Sequence, residues 1–167
     1  MLPLFEEPKK IESISSDQAE ESMPLPYLDG ESMYFVRTYV EGNAKQRKQA
    51  QDVWSTAREN KAWSEPVSVF DAVNDLGNNA VIGASKDGNR VYVFNSIQTR
   101  RKKAKGIAIT EKEEDGDWSS LEKVEIEGFK IGQGYYSFYV NPDEDIMLIS
   151  MAPNDSTINE DIFVSLK

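Results

Sequence analysis

The property that most narrows what this chain can fold into is that it repeats itself, and an internal repeat decides the architecture before any single element does. Glu7-Pro8 returns as Glu65-Pro66, and Asp29-Gly30 returns as Asp87-Gly88 at the same offset. Met33-Tyr34-Phe35-Val36 matches Val91-Tyr92-Val93-Phe94, and Trp63-Ser64 matches Trp118-Ser119. A degraded third copy begins at Pro142-Asp143-Glu144-Asp145 and runs into Ile146-Met147-Leu148-Ile149. Asp52-Val53-Trp54 has its counterpart in Asp161-Ile162-Phe163. The Asp-Gly pairs read as hairpin turns between apolar stretches. Arg90–Phe94 and Ile146–Ile149 are apolar on both faces, so both faces must be covered. Radially stacked antiparallel sheets do this, and four strands in about 55 residues is the spacing of a propeller blade.

The expected fold class is therefore all-β, with β-propeller blades in about three four-stranded antiparallel repeats. One segment competes with that reading. Ala50, Val53, Trp54 and Ala57 fall at helical spacing, and residues 44–61 hold good helix formers. The repeat register favours a strand preceded by a long loop, by analogy with Gly106–Ile109 and Asp161–Val164. Counting strands A to D gives a lone D strand at about 5–11, then blades at about 20–69, 79–124 and 134–166, within one domain over 1–167. The third blade runs A, B, C, and the segment Phe5–Ile11 matches the D strand Trp63–Val69. Closed propellers have about 4–8 blades. Two arrangements stay open: a partial propeller belonging to a longer protein, or two chains forming a six-bladed dimer in which each N-terminal strand completes the other's last blade.

Leu25-Pro26-Tyr27-Leu28-Asp29-Gly30-Glu31-Ser32-Met33-Tyr34-Phe35-Val36 and Ser85-Lys86-Asp87-Gly88-Asn89-Arg90-Val91-Tyr92-Val93 resemble the WD40-like β-propeller repeats of the TolB type. Asp161-Ile162-Phe163-Val164-Ser165 and Trp63-Ser64-Glu65-Pro66-Val67 are similar to two further strands of that repeat, and Asn74 with Asn78-Asn79 to its Asn-rich link. The chain departs from the pattern at Leu28, Lys86 and Leu121, and at Asp143-Glu144-Asp145 in place of Asp-Gly. Such repeats occur in periplasmic and outer-membrane-linked bacterial proteins. The resemblance implies a non-catalytic protein-interaction or scaffold role at the cell envelope and transfers no catalytic residues. The alternative is a carbohydrate- or glycan-binding propeller, with or without hydrolase activity.

Composition narrows the chemistry further. Among 167 residues there is no cysteine and no histidine. That removes disulfides, thiolate and imidazole metal sites, and the Ser-His-Asp and Cys-His mechanisms. A net charge of −10 argues against general binding to nucleic acid, whose phosphates need a positive footprint. No stretch reaches the ~18 apolar residues of a membrane span. Met1–Glu7 lacks the basic and apolar regions of a signal peptide, so a periplasmic or outer-membrane-associated location is implied by the resemblance alone, and a cytoplasmic one stays open. No enzyme activity, cofactor or metal is expected; a protein partner is.

The candidate partner-binding residues are basic. Arg100, Arg101, Lys102, Lys103 and Lys105 lie between strands B and C of one blade, and Lys45, Arg47 and Lys48 lie in the equivalent loop before it. Equivalent loops emerge on one face, so the two clusters should be neighbours. The C–D hairpin with Glu111, Glu113, Glu114, Asp115 and Asp117 should emerge on the other face, which would make the module dipolar and its encounters salt-dependent. Asp143–Asp145 and Asp155, Asn159, Glu160 and Asp161 offer oxygen ligands but not EF-hand spacing. Trp63 and Trp118 hold the same repeat position, which suggests packing between blades. Tyr135, Tyr136 and Tyr139 follow a Gly-rich link that lacks the pattern of a phosphate loop.

Overall fold

The computed structural model describes residues 7–27, 29–43, 49–69, 73–75, 77–98, 103–131, 134–154 and 159–167, with backbone alone for 95–98 and 103–104. Its elements are all strands, as the sequence predicts. The first sheet holds β1 (Glu20–Pro26), β2 (Ser32–Thr38), β3 (Asp52–Glu59), β4 (Ala62–Trp63) and β5 (Val67–Ser68). The second holds β6 (Ala80–Ala84), β7 (Arg90–Gln98), β8 (Lys103–Glu111) and β9 (Glu122–Lys123). The third holds β10 (Tyr136–Val140), β11 (Ile146–Met151) and β12 (Asp161–Leu166). Within each sheet the strands pair antiparallel in chain order, except that β4 and β5 both pair with β3.

The turn after each first strand sets the register. At Asp29-Gly30 the Gly30 amide donates to the Tyr27 carbonyl, and the Asp29 carboxylate accepts from the Glu31 and Ser32 amides at 2.8 and 3.2 Å. At Asp87-Gly88 the Gly88 amide donates to Ser85 O at 2.9 Å. The third turn closes the same way, Glu144 N to Asn141 O at 2.9 Å, although Glu144 occupies the glycine position at φ 60°. A side chain there costs on the order of 1 kcal/mol. Asn141 offsets it: its side-chain oxygen accepts from the Asp145 and Ile146 amides at 3.1 and 2.9 Å.

Of the segment with helical spacing, Asp52–Glu59 is strand β3, residues 49–51 and 60–61 are turns and a bridge at its ends, and residues 44–48 lie outside the described residues. Pairing with β2 explains the outcome. Phe35 faces Trp54 and Val36 faces Val53, so alternate residues serve opposite sides of the sheet.

Two apolar layers join the three sheets. Tyr34 and Val53 of the first sheet pack with Val81, Val91, Val93 and Ala108 of the second. The opposite face of the second sheet, carrying Ile82, Tyr92, Phe94 and Ile107, packs with Phe138, Val140, Met147 and Ile149 of the third. The second sheet is thus covered on both sides, as its doubly apolar strands require. Each fully buried valine contributes roughly 1.5–3 kcal/mol. The remaining face of the first sheet, with Phe35 and Trp54, is covered by Ile11 and Ile14.

The first strand of the second sheet touches both other sheets, reaching β2 and β3 as well as the first strands. β6 contacts both β1 and β10. Gly83 lies so near β10 that a Cβ there would stand 2.5 Å from the Val140 carbonyl oxygen. Among the described residues no helix is long and apolar enough to cross a membrane.

Candidate functional site

Neighbouring sheets are clasped at their turns by a tyrosine at one repeat position. Tyr34 in β2 hydrogen-bonds Tyr27 through their hydroxyls at 2.5 Å, and Tyr27 reaches the Gly88 carbonyl of the next turn at 3.4 Å. Burial raises the pKa of both phenols above the usual tyrosine value. Its counterpart Tyr92 in β7 donates to Glu144 Oε1 at 2.9 Å, and Arg90 pairs with the same carboxylate. Burial, then the Glu144 carboxylate, pushes Tyr92 up to about 12. All three phenols are therefore neutral at neutral pH, and Tyr92 donates to Glu144.

A cleft of about 620 Å³ opens beside the first clasp, bordered by Asp29, Glu59, Lys86, Asp87 and Lys112. Its charges are mixed and spread over several turns. Among the described residues no three carboxylates gather to hold a metal ion. Glu144 of the third turn is occupied by Arg90 and Tyr92, and Asp145 accepts from Asn141 Nδ2 at 2.7 Å.

Of the basic candidates, Lys45, Arg47, Lys48, Arg100, Arg101 and Lys102 lie outside the described residues. Lys103 opens β8, its backbone paired with Gln98. Lys105 is exposed; its ammonium donates to the Tyr136 hydroxyl at 2.7 Å and stands 4.8 Å from that ring's centre. The acidic residues Glu111, Glu113, Glu114, Asp115 and Asp117 are all exposed where β8 turns back towards β9. Asp155 lies outside the described residues. Trp118 packs into the layer between the first and second sheets, and Trp63 into the layer under Ile14. Tyr136 packs tilted against Phe94, with ring centres 4.9 Å apart, while Tyr135 is exposed.

One feature none of these candidates covers is the outer side of the third sheet. The β10–β11–β12 register puts Tyr139, Ile146, Leu148, Ile162, Val164 and Leu166 on one face. All six are exposed, Leu148 by 41% and Val164 by 61%. The equivalent face of the second sheet is buried, and Tyr92, the counterpart of Leu148, is only 7% exposed. Ile146–Ile149 is apolar on both faces in the sequence, and among the described residues only the face with Met147 and Ile149 is covered. The outer edge of β12 is also unpaired among the described residues, whereas β3 and β8 carry β5 and β9 on theirs. No family model, curated protein or solved structure matches the chain.

Proposed function

We infer that the chain is a non-catalytic protein-interaction module whose three sheets act as blades of a β-propeller-type array. The open apolar face of the third sheet carries this reading. A contiguous apolar face of six exposed side chains on a strand edge is a surface for another protein. Support for the blade reading comes from the antiparallel order of each sheet, the contact of β6 with both neighbouring sheets, and the covering of the middle sheet on both faces. The resemblance to TolB-type repeats supports a place at the bacterial cell envelope and rests on sequence alone.

The test is a photo-crosslinking amino acid at position 164, on the open face, with position 114 in the acidic hairpin as the control. Irradiation of expressing cells should give a protein adduct from position 164 and little from position 114. An open face that yields no protein adduct would overturn the reading.

A further inference from the structure

We propose that the third sheet is completed by the N-terminal segment of a second copy of this chain, which adds residues 7–11 along the free edge of β12. The proposal deepens the interaction reading above and rests on it for the availability of that edge.

Register points to this edge. Phe35 faces Trp54, Val93 faces Ala108 and Ile149 faces Phe163, so Trp54, Ala108 and Phe163 are the same position in three sheets. Trp54 pairs outward with Ser68, and Ala108 pairs outward with Lys123. The two hairpins agree to the atom: the Thr56 hydroxyl donates to Ser64 O at 2.8 Å, and the Thr110 hydroxyl to Ser119 O at 2.8 Å. By the Glu-Pro match, Ser68 corresponds to Lys10. The fourth strand of the third sheet should therefore set Lys10 opposite Phe163 and Lys9 opposite Val164.

The placement of the linkers points the same way. After each fourth strand the chain drops an apolar residue between that sheet and the next. Val73, following β5, is fully buried between the first and second sheets. Ile126 and Phe129, following β9, pack between the second and third. Ile14, following residues 7–11, is buried in the same way against Phe35 and Trp54, on the side of the first sheet where a preceding sheet would stand. The linker is thus seated as though a fourth strand came before it. Residues 7–10 themselves are exposed and in no strand.

The distance between the two ends selects the occupant. The second sheet stands between the other two, so the free edge of β12 lies at the far end of the stack from Ile11 and Ile14. A second copy brings its own segment to that edge without disturbing the Ile14 contact. Lys10 gives up only surface ion pairs, at 3.8 Å to Glu12 and 3.7 Å to Asp17, and such pairs contribute little.

The chain has no cysteine of its own, which makes disulfide trapping clean. Val124 N donates to Ile107 O, so the neighbouring pair Ala108–Lys123 is a non-hydrogen-bonded one. By equivalence so is Phe163–Lys10, with facing Cα atoms about 4.5 Å apart, within disulfide reach. A chain carrying Lys10→Cys is mixed with a differently tagged chain carrying Phe163→Cys, and then oxidised. A linked species of about twice 18.9 kDa containing both tags is expected. Ile162→Cys, which points to the other side of the sheet, should give at least tenfold less. No mixed-tag product, equal linking at 162 and 163, or a Lys10→Cys/Phe163→Cys chain that links only within itself would overturn the proposal. A position-164 photo-adduct to a different protein, together with no mixed-tag disulfide, would leave the interaction reading standing and remove this one.

Discussion

Asn74 faces Val53 across the gap left beyond the short strand β5. Its side-chain oxygen accepts from the Val53 amide at 2.8 Å, and its Nδ2 donates to the Val53 and Val69 carbonyls at 2.9 and 2.8 Å. One amide thus extends the ladder where the backbone has turned away. Asn43 plays a similar part on the other side of β3: it donates to Arg37 O and Ala50 O and accepts from the Trp54 indole at 3.0 Å. Removing either side chain strands buried backbone groups. Asn74→Ala should lower stability to urea by about 1–3 kcal/mol, with the slope of the transition unchanged; a change below 0.5 kcal/mol would show that water replaces the amide. The sequence singles out Asn74 because it belongs to a recognisable Asn-rich link. Asn43 is not legible there, since Arg37, Ala50 and Trp54 meet only after β2 and β3 have paired.

At the scale of the element, two glycines at the same repeat position carry different constraints. Gly30 and Gly88 both sit in the left-handed region, at φ 69° and 73°. A Cβ on Gly30 meets open space, while one on Gly88 would stand 2.7 Å from Tyr27 Cε1. Gly30→Ala should therefore cost about 1 kcal/mol, the conformational term alone. Gly88→Ala should cost visibly more, because it also presses on the clasp between the first and second sheets. Thermal unfolding of the two variants side by side checks the difference; equal losses would mean that the tyrosine moves aside freely. The turns and the strands beside them were legible because Asp-Gly and alternating side chains are local signals. The repeat match predicts a D strand at about 5–11, but residues 7–11 are in no strand of the single chain, because a strand exists only with an edge to pair with.

At the scale of the molecule, repeat position does not determine burial; place in the stack does. Tyr92 and Leu148 are equivalent by register, yet one is enclosed and the other is open. Tyr92→Glu should unfold the chain or cost more than about 4 kcal/mol, by placing an unpaired charge beside Glu144 in an apolar layer. Leu148→Glu, measured where the chain is monomeric, should stay within about 0.5 kcal/mol of the parent. Urea denaturation separates the two, and a comparable loss at Leu148 would mean that its face is already covered. The all-β class and the sheet order could be read from the repeat. The asymmetry between the two ends could not, since it depends on Ile11 and Ile14 folding onto the first sheet.

The middle sheet is apolar on both faces, with Val81, Val91, Val93 and Ala108 on one and Ile82, Tyr92, Phe94 and Ile107 on the other, and this has a consequence for how such a chain can change in length. A tandem duplicate of such a sheet, inserted beside it, would find an apolar face on each side. The protein is in this respect a polar stack with a growth direction. It can gain whole units in its interior while the specialised surfaces at its two extremities stay as they are.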